Sequence, residues 1–233
     1  MRAVLIVALG GGFLASAYLA PVASQQTPPA AEVPPQSSLP LPPLPQGDAA
    51  AGRKLAGQCR TCHGLDGYAR IPIAPHIGGE PAGYLGAQLR AFRDGTRTHE
   101  MMSVVAAQLS DQQIADVSAW YASHVASAAL EADPKDAPEG CIGCHGVDGI
   151  AEVEDTPNLA GETNIYIDTQ LKAFRSGKRR HEVMTDIAAE MSDAEIRAAA
   201  DWYGAVKLTI AKPPKDGPSE PSETPMSPKT DAK

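Results

Sequence analysis

The chain lacks three features: a strand pattern, a basic patch and a spare cysteine. No segment alternates apolar and polar residues in the way that predicts a half-buried strand, so we predict an all-α fold. Lys and Arg number 20 against 28 Asp and Glu, a formal net charge of −8. Because no basic patch is present to bind phosphates, we do not expect nucleic acid as a partner. Only four of the 233 residues are cysteines, and one repeated motif uses all four, so none is left for a disulfide.

That motif is Cys-x-x-Cys-His, and it occurs twice, 82 positions apart. It is the attachment signature of a c-type haem. Each thiol adds to one vinyl group of the porphyrin, and two intervening residues match the distance between the vinyls. The adjacent histidine then lies under the iron as its proximal ligand. We predict two covalently attached haem c groups, held by Cys59, Cys62 and His63 and by Cys141, Cys144 and His145.

Two other interpretations of a Cys-x-x-Cys pair fit less well. A zinc knuckle brings two such pairs together at a spacing of roughly 15–20 residues, whereas these pairs lie far apart in the chain. A thioredoxin-like redox site occurs once, inside a strand–helix unit, and needs neither His63 nor His145. Haem attachment is the interpretation that uses both histidines.

The region around the motif is duplicated. A shift of 82 positions aligns residues 59–121 with the second half of the chain without a gap. Each copy is near the short end of the usual domain size range, so its core alone would be thin, and a covalently held haem supplies much of the missing apolar interior. Matched pairs beyond the motif include Gly79/Gly161, Glu80/Glu162, Tyr84/Tyr166, Gln88/Gln170, Phe92/Phe174, Arg97/Arg179, His99/His181, Met102/Met184 and Trp120/Trp202.

Composition divides the chain into five segments. Residues 1–24 hold an uncharged, largely apolar stretch over 3–23, which predicts a signal peptide or an N-terminal membrane anchor. Residues 25–46 are a Pro-rich, extended linker, 47–127 and 128–211 are the two haem domains, and 212–233 form a disordered tail. Either fate of the N-terminus exports the haem domains. We therefore expect a periplasmic protein, soluble or tethered to the inner membrane through residues 3–23.

Helix signals recur in both domains. Tyr84, Gln88 and Phe92 follow helical spacing, and a glycine stops that helix. Ser110 with Gln113 forms a capping box that opens the last helix of the first domain, and Ser192 with Glu195 does the same in the second. Only the first domain has a helix before its haem motif, over 49–57 and capped by Asp48. The Pro-rich segment 131–139 cannot supply that helix, which leaves the second haem more exposed.

The sixth iron ligand must come from elsewhere in each domain. A methionine follows each proximal histidine by the same 39 residues, and a thioether ligand raises the potential because it favours the ferrous state. A methionine in a helical protein is more often core filler. The repeat favours Met102 as a ligand, because it aligns with Met184. Met101 aligns with Val183, which cannot bind iron. The predicted iron ligands are His63 and Met102 in the first domain and His145 and Met184 in the second.

Four other side chains lie near the predicted ligands in sequence. His99 and His181 precede the two methionines by three residues and either form bis-histidine sites of lower potential or bond a propionate or the other domain. Arg97 and Arg179 are natural propionate partners, because a guanidinium matches a carboxylate in bidentate fashion; the alternative is a solvated loop charge. His76 has no counterpart histidine in the repeat, and we assign it no role.

The two haem domains differ in net charge. Residues 47–127 contain seven basic and seven acidic residues, whereas 128–211 contain eight basic and sixteen acidic ones. The excess either keeps an acidic surface soluble or offers a docking surface to a basic partner and steers its encounter. We also predict that the second haem has the lower potential, because nearby negative charge stabilises the ferric state.

The motifs together resemble those of a dihaem class I cytochrome c of the cytochrome c4 type. The resemblance covers residues 47–211 and rests on the two Cys-x-x-Cys-His-Gly motifs, the Tyr-x-x-x-Gln-Leu-x-x-Phe helices from Tyr84 and Tyr166, and the methionines after Gly-x-Arg. It implies two tandem haem domains related by pseudo-two-fold symmetry, each with His/Met iron. It also implies haem edges that approach across the interface.

A chain of this kind is expected to carry electrons in a respiratory chain, without catalytic residues. The donor would be a quinol-oxidising membrane complex and the acceptor a terminal oxidase or reductase. One alternative is a dedicated electron-accepting cytochrome subunit of a periplasmic dehydrogenase. Another is a dihaem peroxidase, which needs an iron with an open site, and Met102 and Met184 argue against it.

Overall fold

The computed structural model describes residues 42–213. Within this range the secondary-structure elements recur at the spacing of the sequence repeat. The predicted signal or anchor, most of the linker and nearly all of the tail lie outside the described residues. The elements in chain order are α1 (Ala49–Leu55), α2 (Arg60–His63), α3 (Ala82–Arg93), α4 (Glu100–Ala106), α5 (Asp111–Ala122), β1 (Val125–Ala129), α6 (Glu139–His145), α7 (Asn164–Arg175), α8 (Glu182–Glu190), α9 (Asp193–Ala205) and β2 (Lys207–Ala211).

The helical class is confirmed, and so are the predicted helix starts. Asp48 caps α1 by accepting hydrogen bonds from two amides of its first turn. Both capping boxes are formed, at Ser110 before α5 and at Ser192 before α9. Among residues 42–213, no helix has the length and apolarity needed to cross a membrane.

Helix α1 is the main difference between the two domains. It packs so closely on α5 that a side chain at Gly52 would overlap the backbone carbonyl of Asp116. The second domain has a 3₁₀ turn, Pro134–Asp136, and no α-helix before α6, as predicted. On α9, the positions that correspond to the covered face of α5 carry Arg197 and Asp201, both exposed. The helix face that α1 covers in the first domain is therefore polar and exposed in the second domain.

Each domain has its own apolar core, built on the facing sides of its long helices. Tyr121 in the first core and Tyr203 in the second occupy equivalent places in the repeat, and both are buried. The first cluster comprises Ala56, Leu85, Val117, Trp120 and Tyr121. The second comprises Ile167, Leu171, Ile196, Ala199, Ala200 and Tyr203. A cysteine of each haem motif, Cys59 or Cys141, packs against its own cluster.

The two domains are joined by strands that the sequence pattern did not predict. Strands β1 and β2 follow the last helix of each domain and pair antiparallel, with Ser127 opposite Thr209 at the centre. Those two residues are also equivalent in the repeat, so the pseudo-two-fold axis implied by the duplication passes through this pair. Each strand has five residues and finds its partner 82 positions away, which leaves little local signal.

Candidate haem sites

The two predicted proximal histidines have the same environment. His63 ends α2 and His145 ends α6, and each is buried. The Nδ1 atom of His63 lies 2.9 Å from the carbonyl oxygen of Pro75, and that of His145 lies 2.9 Å from the carbonyl of Pro157. A hydrogen bond at Nδ1 fixes the ring and leaves Nε2 as the atom that can bind a metal. Burial lowers the pKa of both imidazoles, which favours the neutral form that iron requires.

All four cysteines lie beside these histidines in the sequence, and none forms a disulfide. Cys59 and Cys141 are half-buried, and burial raises the pKa of both thiols. Cys62 is half-buried, whereas its counterpart Cys144 is exposed. The greater exposure of Cys144 agrees with the missing helix before the second motif. Two thiols three positions apart, followed by a histidine whose Nδ1 is hydrogen-bonded, fit the donor set of a covalently attached haem.

The loop after each motif is held by hydrogen bonds from the last helix of its own domain. The Tyr121 hydroxyl donates to the carbonyl of Gly64 at 3.2 Å, and the Tyr203 hydroxyl donates to that of Gly146 at 3.1 Å. Trp120 Nε1 donates to the Leu65 carbonyl, and Trp202 makes the equivalent bond in the second domain. These aromatic residues couple the position of each motif to its core.

The predicted sixth ligands lie on α4 and α8. Met102 and Met184 are half-buried, and Met184 packs against the second core. Met101 is 63% exposed and its counterpart Val183 is 51% exposed. The helices therefore turn the register-matched methionines inward and their neighbours outward, in the arrangement that the repeat suggested. Iron ligation by Met102 and Met184 stays a prediction.

His99 and His181 have a role that sequence reasoning missed, because they cap the helices carrying these methionines. Nδ1 of His99 accepts from the backbone amides of Met101 and Met102, at 3.3 and 3.4 Å. Nδ1 of His181 does the same at the start of α8. Histidine is not among the preferred capping residues, so its type gave no signal. Both rings lie near enough to His63 or His145 to lower the pKa of that histidine.

Arg97 and Arg179 form a reciprocal network between the domains. Arg97 donates to Gln88 of its own domain at 2.6 Å and to Gln170 of the other at 2.7 Å. Arg179 donates to Gln170 at 2.9 Å and to Gln88 at 3.0 Å. Each guanidinium also lies over a phenylalanine ring, 4.4 or 4.5 Å from its centroid. These bonds do not support the alternative of solvated loop charges, and the propionate role stays a prediction.

His76, which was given no role, bridges the domains. Its counterpart in the repeat is Asn158, and the two side chains make the same bonds. His76 Nδ1 accepts from the amide of Ala69 at 2.9 Å, while Nε2 lies 3.1 Å from the carbonyl of Gly161. Asn158 likewise accepts from an amide of its own domain and donates to the carbonyl of Gly79 at 3.1 Å. The equivalence is not visible as an identity in the repeat, because histidine and asparagine are different residues. They share only the placement of one hydrogen-bond acceptor and one donor.

Two buried glutamates complete the interface. Glu80 is 4% exposed and Glu162 is 3% exposed. Burial raises the pKa of Glu80 to about 8, although a bond from the Asn158 amide opposes that shift. Burial and the nearby Glu80 raise the pKa of Glu162 well above its ordinary value. Among the residues that the structure describes, Glu162 Oε2 is buried without a hydrogen-bond partner.

Comparison with known protein families assigns both halves to haem proteins. Residues 49–124 match the family model described as cytochrome c. Residues 137–202 match the model described as cytochrome c oxidase, cbb3-type, subunit III. The two matches cover the two copies of the repeat.

Full-length relatives match across both copies. The chain is 34% identical to cytochrome c4 of Pseudomonas aeruginosa over 176 residues, covering 67% of this chain and 87% of that protein. It is 32% identical over 185 residues to the thiosulfate dehydrogenase electron acceptor of Thiomonas intermedia, covering 70% of this chain and 85% of that one. Among solved structures, reduced cytochrome c4 from Pseudomonas stutzeri aligns with a TM-score of 0.61 and 29% identity, over 69% of this chain and all of that chain.

Proposed function

This chain belongs to the cytochrome c4 family of dihaem class I cytochromes c, and from that membership we propose that it carries electrons in the periplasm between a quinol-oxidising membrane complex and a terminal oxidase or reductase. It is an electron carrier and not an enzyme, and it has two covalently attached haem c groups. The observation that carries the proposal is the duplicated environment of His63 and His145. Nδ1 of each histidine contacts a proline carbonyl of its own domain, Pro75 or Pro157. The residue after each of these prolines bonds the opposite domain.

The residues proposed to hold each haem follow from the motif and from this environment. When bound, the haem supplies an iron that alternates between the ferric and ferrous states. Cys59 and Cys62, and likewise Cys141 and Cys144, provide the thiols for attachment. In each domain the histidine of the motif binds iron through Nε2. Met102 and Met184, turned inward on α4 and α8, are the proposed sixth ligands.

The domain interface supports electron exchange between the two sites within one molecule. Pro75 and Pro157, which hold the two histidines, each immediately precede a residue that bonds the opposite domain. The reciprocal bonds of Arg97 and Arg179 add a second connection. Such bonds fix the two sites relative to each other, so electron transfer between them requires little reorganisation of the protein.

The direct test is electron exchange with membranes. We expect the reduced protein to be reoxidised by membranes that contain a terminal oxidase, and the oxidised protein to be reduced by a quinol-oxidising complex. Both rates should fall as salt is added, because the acidic second domain steers a basic partner. Failure to exchange electrons with either membrane fraction would exclude this pathway.

The relatives named as thiosulfate dehydrogenase electron acceptors support a second candidate. In that role the protein would accept electrons from one periplasmic dehydrogenase. Co-purification with such an enzyme at fixed stoichiometry would identify it. The leading proposal predicts instead that the carrier purifies alone and reacts with both membrane partners.

A further inference from the structure

Each interface glutamate lies beside a peptide unit that contacts the proximal histidine of the opposite domain. Glu80 and Glu162 occupy equivalent places in the repeat and lie almost fully buried between the domains. Each faces the backbone of the domain to which it does not belong.

The path from Glu80 to the second haem site consists of two hydrogen bonds. The Oε2 atom of Glu80 accepts a hydrogen bond from the backbone N–H of Asn158 at 3.0 Å. That N–H belongs to the same peptide unit as the carbonyl of Pro157, because Pro157 directly precedes Asn158. The Pro157 oxygen lies 2.9 Å from Nδ1 of His145. One peptide unit therefore separates a glutamate of the first domain from the histidine of the second haem site.

The reverse path starts at Glu162. The backbone amides of His76 and Thr163 lie close enough to Glu162 to oppose the rise in its pKa. The His76 amide shares its peptide unit with the carbonyl of Pro75, which lies 2.9 Å from Nδ1 of His63. The peptide unit beside Glu162 thus contacts the histidine of the first haem site, as the one beside Glu80 contacts that of the second.

We propose that Glu80 and Glu162 are positioning residues for the haem site of the opposite domain, each acting through one peptide unit on the proximal histidine there. The inference rests on the proposed roles of His63 and His145 as iron ligands. A carboxylate that accepts from the peptide N–H polarises the peptide, and its carbonyl then accepts more strongly from histidine Nδ1–H. The histidine becomes a better electron donor, which stabilises ferric iron and lowers the potential of that haem.

The effect depends on whether the glutamate is ionised. Burial, which raises the pKa of Glu80 to about 8, keeps this carboxyl protonated at neutral pH, and the two glutamates disfavour each other's charge. The potential of the second haem should therefore fall as pH rises through this range. Among the titratable and charged groups of the described residues, Tyr166 interacts with Glu162, and Tyr84, Arg97 and Arg179 interact with that tyrosine in turn. His76 bonds the carbonyl of Gly161, directly before Glu162 in the sequence.

The test compares Glu80→Gln and Glu162→Gln in the holoprotein, with Glu154→Gln as a control that makes the same substitution at an exposed position outside the interface. Potentials are measured for each haem well below and well above pH 8, with the haems assigned by NMR. We expect Glu80→Gln to abolish the alkaline fall in potential at the His145 haem and Glu162→Gln to abolish the corresponding fall at the His63 haem. Glu154→Gln should change neither selectively. Shifts confined to the haem of the mutated domain, or equal at both haems, would overturn the proposal.

A second readout separates the hydrogen-bond chain from a through-space field. In the ferrous wild-type protein, the NMR signals of the Asn158 amide and of His145 Nδ1–H should move together as Glu80 titrates. Titration of Glu80 without these coupled shifts would contradict the proposal, even if a variant failed to fold. Failure of the proposed function itself would be visible beforehand, as a wild-type spectrum without histidine-ligated iron.

Discussion

Ser127 and Thr209 stand opposite each other at the centre of the two-stranded sheet and are equivalent positions of the sequence repeat. A residue can face its own counterpart in this way only on the two-fold axis that relates the two copies. The crossed bonds of the two arginines and those of His76 and Asn158 follow from this axis. The duplication therefore specifies the way the domains join as well as the domains themselves.

An alanine at Gly79 should destabilise the protein more than an alanine at a glycine with open space around it, because Gly79 lies against strand β1. A Cβ at Gly79 would lie 2.6 Å from the Cβ of Ala126 in β1, whereas Gly95 has nothing within 4 Å. Both glycines have similar positive φ, 81° and 76°, so each alanine variant incurs a backbone cost of roughly 1–2 kcal/mol. We expect Gly79→Ala to lower the free energy of unfolding by about 1–3 kcal/mol more than Gly95→Ala. Equal losses in denaturant titrations would show that the sheet tolerates the added methyl.

The bond between Arg97 and Gln170 should make a measurable contribution to stability. Arg97→Ala, Gln170→Ala and the double variant form a cycle in which the coupling is the difference from additivity. We expect a coupling of about 1.5 kcal/mol, at the lower end of the range for a hydrogen bond that involves a charged group, because this bond is only partly buried. A matched cycle for Arg93 and Asp94, whose contact is local, reports on a pair within one domain. Zero coupling between Arg97 and Gln170 would mean that their contact contributes nothing to the stability of the domain interface.

His76→Asn should preserve the interface and change its pH dependence. Asparagine serves the same purpose at position 158, whereas His76→Leu removes both bonds. Burial lowers the pKa of His76 below its ordinary value of 6.5. The wild type therefore has the full contribution of this residue above pH 6.5 and loses it as pH falls through that value toward the lower folded pKa. Unfolding titrations across this range should show a smaller acid-side loss for His76→Asn than for the wild type. An unchanged pH profile would contradict this role.

The parts of the molecule that the sequence predicted are those with local signals. Ser110 and Ser192 are followed three residues later by Gln113 and Glu195, so the capping boxes could be identified from spacing alone. The missing helix of the second domain follows from the prolines at 134 and 138. The haem motifs were identifiable because their spacing is set by the cofactor and not by the fold.

The parts that were missed depend on contacts between distant residues. Strand β1 consists of small residues and is stable only against β2. The use of His99 as a helix cap could not be inferred from residue type. His76 and Asn158 are equivalent in geometry but not in identity, so aligning the two copies did not pair their functions.

The central claim is that each domain holds a haem between its motif histidine and its register-matched methionine. A spectroelectrochemical redox titration of the purified protein tests it most directly, with Met102→Ala and Met184→Ala as matched variants. We predict two positive potentials, the lower one for the second haem, and a ferric thioether band of which each variant loses one component. Strongly negative potentials without that band would contradict the account, and would assign ligation to His99 and His181.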